Sequence, residues 1–128
     1  MKFFESTLTV TKEHLDALNH VNNVVYVQWI QDIATKHWNA VAPKDFAEQY
    51  IWVVAAHHIY YKGESVLGDK LLLKTYIEDN HGVISNRKVE IYKNEKLILT
   101  ANTEWCLLTI ATKRPTRIPQ EIKDLFVS

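Results

Sequence analysis

The sequence predicts an α+β domain in which one long helix covers one face of a five-stranded antiparallel sheet. Two observations carry that expectation. An alternating run at residues 3–11 precedes a single stretch of helical periodicity at residues 23–39, and four β-type stretches follow between residues 51 and 110. The last three of those stretches are joined by short polar connections, which suit antiparallel neighbours. At 128 residues and 14.9 kDa the chain has the size of one domain, so residues 1–128 are expected to fold as a single unit.

Each element has its own local warrant. Phe4, Ser6, Leu8 and Val10 fall on one face of the first stretch, and Glu5, Thr7, Thr9 and Thr11 on the other, the pattern of an edge strand with one wet side. Residues 12–23 are polar and broken by asparagines, so they read as a loop. Tyr26, Trp29, Ile30, Ile33 and His37 then recur at i, i+3, i+4, i+7 and i+11, one stripe of a helix. Asn22 or Asn23 is the natural N-cap, because its amide oxygen can accept from an unpaired first-turn N–H. Pro43 marks the loop beyond.

Residues 51–61 are almost uninterruptedly apolar or aromatic and read as a strand buried on both faces. In so small a chain that burial calls for a second subunit. Residues 70–78 alternate, Asp79–Gly82 has turn chemistry, and strands follow at 83–92 and 97–110 around a turn at 93–96. Pro119 opens a short terminal helix near Ile122.

Composition excludes several classes. Hydrophobic residues at 47% and charged residues at 23% exclude global disorder. Fifteen basic and fifteen acidic residues cancel, so no global field draws the chain to nucleic acid or anionic lipid. The single Cys106 excludes an internal disulfide and a multi-cysteine metal site, and reads as a buried, inert thiol. The N-terminus shows no signal-peptide pattern, and the longest apolar stretch, Ile51–Ala56, is far short of the ~20 residues that span a bilayer. A cytoplasmic protein with no membrane partner is expected. His57 and His58 are adjacent on a strand and point to opposite faces, so they cannot chelate one ion together; no metal is expected. No glycine-rich phosphate loop and no Gly-x-Ser-x-Gly elbow occurs.

Chemistry concentrates in Asp16-Ala17-Leu18-Asn19-His20-Val21-Asn22-Asn23-Val24-Val25-Tyr26, a loop running into a helix N-terminus. Free N–H donors and positive potential there suit an acyl carbonyl about to become an oxyanion. A nearby carboxylate can serve as nucleophile or as base for water. The same residues also suit capping and turn formation, and Tyr26 and Trp29 also suit a core. Both readings are open at this level.

The segment resembles the Asp-x-x-Gly-His-Val-Asn-Asn-x-x-Tyr signature of hotdog-fold acyl-CoA thioesterases of the 4-hydroxybenzoyl-CoA thioesterase family. It is also similar to the Asn-x-His-Val-Asn-Asn segment of plant acyl-acyl carrier protein thioesterases. Tyr60-Tyr61-Lys62-Gly63-Glu64, Leu67-Gly68-Asp69, Trp105 and Arg114-Pro115 extend the likeness over nearly the whole chain. The resemblance implies a hotdog fold, an antiparallel sheet of five or six strands wrapped around one long central helix, and a cofactor-free thioester hydrolase of fatty acid metabolism, acting on acyl-CoA or acyl-acyl carrier protein. It implies a homodimer or homotetramer with sites at the subunit boundary. Alternatives are a non-catalytic acyl-CoA-binding module and a hotdog hydratase or dehydratase.

The implied catalytic residues are Asp16, as nucleophile or base, His20, Asn23 and Glu64. Asn19, Asn22, Val24, Val25 and Tyr26 are expected beside the substrate, with Val24 and Val25 offering N–H groups to the carbonyl. Arg87, Lys113 and Arg114, with Lys88 and Arg117, are expected either to meet coenzyme A phosphates or to form a solvated basic tail and strand surface, and both readings are open. Tyr26, Trp29, Ile30, Trp52 and Val54 are expected to favour an aliphatic acyl chain. Asn19 replaces the family's Gly, and Leu18 stands where the plant enzymes carry a catalytic Asn.

Overall fold

Helix α1 (Asn23–Val41) lies along the inner face of a five-stranded antiparallel sheet in the computed structural model, which describes residues 2–127. The strands are β1 (Phe4–Thr9), β2 (Tyr50–Tyr61), β3 (Lys70–His81), β4 (Ile84–Lys93) and β5 (Lys96–Thr109). Their spatial order is β1-β3-β4-β5-β2. Two short helices, α2 (Lys44–Gln49) and α3 (Gln120–Leu125), flank the far end of α1, and a 3-10 turn at Lys12–His14 lies before it.

The expected helical stripe is the buried one. Tyr26, Trp29, Ile30, Ile33 and His37 are joined by Ala34 and Trp38. Asn22 is the N-cap, its Oδ1 accepting from the Val24 N–H at 2.9 Å. The helix ends just before Pro43, which disfavours helical backbone in the residue ahead of it. Beneath α1 the sheet presents Leu71, Leu73 and Thr75 of β3, Ser85, Arg87, Val89 and Ile91 of β4, and Leu99, Ala101, Thr103 and Leu107 of β5. The period-2 alternation of each strand puts these side chains on one face. Burying one face of the sheet against one apolar stripe makes the core.

β3, β4 and β5 form the expected meander, while β1 and β2 occupy the two edges. β1 shows the predicted half-wet alternation.

Three expectations are corrected. β2 is not buried on both faces: it alternates, with Ile51 50% and Val53 40% exposed. It is an edge strand, and nothing among the described residues covers its outer face. A bulge between Val54 and Ala56 shifts its phase, which lets His57 reach inward to Thr103. The 79–82 turn is also shorter than expected. β3 runs on through His81, and the chain reverses at Gly82, whose φ of 59° favours glycine. Finally, α2 forms where a loop was expected. Its six residues are too few to show a helical period in sequence.

Candidate active site

The loop before α1 is tied into a fixed shape by its own carboxylate. Asp16 Oδ1 accepts from the Leu18 N–H at 2.8 Å and the His20 N–H at 3.2 Å. The Asp16 N–H donates to the His20 carbonyl at 2.8 Å, and the Asn19 N–H to the Asp16 carbonyl at 3.0 Å. The reversal demands a left-handed residue, and Asn19 supplies it at φ 62°. Asparagine tolerates that region better than most residues, which accounts for its standing where the resembled family has Gly. One carboxylate oxygen is thus occupied by loop closure, and Oδ2 makes none of these bonds.

A second segment approaches from the end of β2. Gly63 sits so close to Ile98 that an added Cβ would lie 2.9 Å from the Ile98 Cγ2, so only glycine lets the chain pass. The next residues dock on the loop: the Val21 N–H donates to the Ser65 carbonyl at 3.0 Å, and the Tyr26 and Ser65 hydroxyls share a buried 2.5 Å hydrogen bond. Glu64 is thereby held against His20, with Oε2 at 3.4 Å from Nε2. Asp16, His20, Asn22, Asn23 and Glu64 therefore gather at the N-terminal end of α1. No sequence pattern flags Ser65, whose role appears only through its distant partner.

Several expected residues are placed differently. The Val24 and Val25 N–H groups are occupied, the first by Asn22 Oδ1 and the second by the Asn22 carbonyl at 2.9 Å. They are not free to polarise a carbonyl; among the described residues the Asn23 N–H at this helix end has no partner. Tyr26 is buried as an anchor for Ser65 rather than presented as a platform, and burial raises its phenol pKa. Arg87 is only 5% exposed, so it cannot meet a phosphate in solvent; its guanidinium bonds to His37 and Thr75 at the other end of the helix.

Lys113 and Arg114 are exposed but lie beyond β5, beside the start of β2, where Thr109 pairs with Tyr50. Glu64 follows the opposite end of that strand. At ~3.3 Å per residue the twelve residues of β2 separate these groups by roughly 35 Å. One copy of the chain does not bring them to Asp16.

Hollows lie at both ends of α1. A shallow one beside the loop is walled by Leu15, Leu18, Asn19, His20, Val66 and Leu67. A more enclosed cavity of about 390 Å³ opens at the far end, among Trp38, Tyr50, Trp52, Ile77, Arg87 and Phe126. It begins about 18 Å along the helix from Asn22, at ~1.5 Å per residue. Of the expected acyl-contacting residues Trp52 lines it, whereas Tyr26, Trp29 and Ile30 belong to the packed core. His57 and His58 do face opposite ways, the first bonded to Thr103 and the second beside Glu104.

A sheet wrapped around one long helix is the hotdog fold of thioesterases. The chain belongs to the acyl-ACP thioesterase N-terminal domain family, whose model matches residues 1–126. Solved structures share the fold. A "predicted thioesterase" from Bacillus stearothermophilus superposes with a TM-score of 0.86 at 19% identity, covering 98% of this chain and 94% of that one. A hypothetical protein from Staphylococcus aureus, in complex with CoA, gives 0.86 at 22% identity over 97% and 81%. A 1,4-dihydroxy-2-naphthoyl-CoA thioesterase from Synechocystis gives 0.82 at 14% identity over 98% and 96%. No curated protein matches the chain significantly in sequence. Among the described residues, no helix is long and apolar enough to cross a membrane.

Proposed function

We propose that this chain hydrolyses acyl thioesters of coenzyme A or acyl carrier protein, with Asp16 as the reacting carboxylate. The observation that carries the reading is the meeting of Asp16, His20 and Glu64 at the open N-terminal end of α1. Loop closure uses Oδ1 of Asp16 and leaves Oδ2 for chemistry. Acting as base, Oδ2 takes a proton from water while the water oxygen bonds to the thioester carbon. The Asn23 N–H and the positive end of the helix stabilise the oxyanion. Collapse breaks the C–S bond, and the sulfur leaves with a proton. Acting instead as nucleophile, the same oxygen bonds to the thioester carbon, the C–S bond breaks and the thiol leaves, and water then cleaves the resulting mixed anhydride to free acid and carboxylate. His20, oriented by Glu64, positions the water or the carbonyl.

The working unit in this proposal is a homodimer or a larger assembly of such pairs. β2 is a twelve-residue edge strand with an unpaired side, and such an edge invites a second copy. Antiparallel pairing of β2 with its copy would set the Tyr50 end of one chain beside the Tyr61 end of the other. That arrangement brings Lys113 and Arg114 of one copy toward the loop of the second, where they could meet the phosphates of coenzyme A. It also brings the mouth of the aromatic cavity toward that loop, so the cavity can take the acyl group. The CoA bound to the Staphylococcus aureus relative supports the substrate class.

The test is thiol release from a panel of acyl-CoA and acyl-acyl carrier protein thioesters by purified protein. A substrate-free control accounts for Cys106 reacting with the detection reagent. Release that depends on Asp16 supports the proposal. Saturable binding of acyl-CoA without release from any thioester would establish the binding-module alternative instead.

A further inference from the structure

We propose that the cavity beneath Trp38 and Trp52 is a carboxylate-recognition pocket, in which Arg87 receives a carboxylate borne on an apolar body. The cavity of about 390 Å³ has mainly apolar walls, including Trp38, Trp52, Ile77 and Phe126. Into this setting β4 delivers a guanidinium that is 5% exposed. Its Nη1 donates to His37 Nδ1 at 2.9 Å and to Thr75 Oγ1 at 3.1 Å, and both acceptors are uncharged. Burial and the neighbouring Arg87 and Lys2 charges hold His37 at a pKa of about 4, so the imidazole is neutral near pH 7. Arg87, although burial draws it down to about 9, remains a cation there. None of the ion pairs among the described residues includes Arg87. A buried cation whose partners are all neutral, the Phe126 ring included, is costly, and in a cavity it is the kind of group that an incoming anion would stabilise.

Among the described residues, two further polar groups in the same wall lack partners. The Ser85 hydroxyl and the Trp105 Nε1–H are both buried and unbonded. Ser85 pairs with Trp105 across the β4–β5 ladder, and it shares the inner face of β4 with Arg87, two residues on. One wall thus holds a cation and two neutral donors without an anionic acceptor. A carboxylate supplies the missing acceptors and charge, and an apolar environment strengthens such charge-assisted bonds. The carboxylate has two possible sources: a free acid, such as the product of hydrolysis, or the distal end of a dicarboxylic acyl chain. The second source rests on the thioesterase reading.

The experiment is calorimetric titration of the purified protein with octanoate and with octanol, which differ chiefly in the charged head. Octanoate is expected to bind at least about tenfold more tightly, the scale of one hydrogen bond to a charged group. Arg87→Gln should abolish the difference. Ser85→Ala and Trp105→Phe should each weaken octanoate severalfold and octanol less, because a donor bonds a charged oxygen more strongly than a hydroxyl. These two variants also carry the test should Arg87→Gln fail to fold, which its melting curve reports. Equal binding of the two probes, no saturable binding of octanoate, or octanoate affinity unaffected by Ser85→Ala and Trp105→Phe would overturn the proposal.

A kinetic arm separates the sources. A lower KM for the mono-CoA thioester of octanedioic acid than for octanoyl-CoA assigns the pocket to a distal carboxylate. Equal KM values with inhibition by octanoate assign it to the free acid. Octanoate preference in a protein that hydrolyses no thioester sinks the thioesterase reading and leaves the pocket standing. Hydrolysis without any octanoate preference does the reverse.

Discussion

Tyr26 on α1 and Ser65 beyond β2 are 39 residues apart, and their hydroxyls meet at 2.5 Å in a buried hydrogen bond. Glu64 directly precedes Ser65, so this bond holds the stretch of backbone from which the Glu64 carboxylate faces His20. The position of a surface acid is thus determined inside the core.

Tyr26→Phe should cost about 1–3 kcal/mol, because it strands a buried serine hydroxyl. If Ser65 anchors Glu64, kcat should fall as well although Asp16 is untouched, and Ser65→Ala should lower kcat by a similar factor. Chemical denaturation and turnover measured on both variants and on the pair would show the coupling as non-additivity.

Asp16→Asn should lower turnover by ~10²-fold or more, on the scale of a lost general base. The amide oxygen can still accept from Leu18 and His20, so the thermal midpoint should change little. A variant with a lowered midpoint and full activity per folded molecule would mean that Asp16 is only a loop-closing residue.

Glu64→Gln should leave stability within about 1 kcal/mol, since the His20–Glu64 pair is solvent-accessible. A fall in kcat of about tenfold is expected if Glu64 orients His20, a modest part of a general acid–base contribution. His20→Ala should cost at least as much. Turnover of His20→Ala with and without Glu64→Gln checks this, because an orienting Glu64 adds nothing once His20 is gone.

Acid should destabilise the fold through His37. Burial, then the Arg87 and Lys2 charges, depress its pKa from 6.5 to about 4. Between those values the unfolded chain binds a proton that the folded chain refuses. This contribution is therefore complete above about pH 6.5 and is lost as the pH falls toward 4, by up to about 3 kcal/mol. Urea midpoints across this range should fall in the native protein and fall less in His37→Gln.

Sedimentation at micromolar concentration should show a species of at least twice 14.9 kDa. A purely monomeric protein that hydrolyses thioesters would require a complete site within one chain, and the composite arrangement around β2 would be wrong.

Local patterns already specify much of this protein. The stripe from Tyr26 to His37 marks the buried face of α1, and the alternation in β1 marks an edge strand. The Asp16–Tyr26 segment displays its carboxylate, imidazole and capping asparagines in consecutive positions. These are short-range features, set by the periods of helix and strand and by hydrogen bonds that reach only a few residues. They also point to the hotdog family.

Tertiary structure decided what depends on partners far along the chain. The apolar sequence of β2 could not reveal that it pairs with β5 at an edge, leaving one face uncovered. Arg87 reads in sequence as one more surface cation, yet its alternation on β4 places it under α1 with His37 and Thr75. Glu64 reaches His20 only because Gly63 clears Ile98 and Ser65 finds Tyr26. Strand order and the burial of a charge follow from non-local packing, where a residue's environment is supplied by elements that its own neighbourhood does not encode.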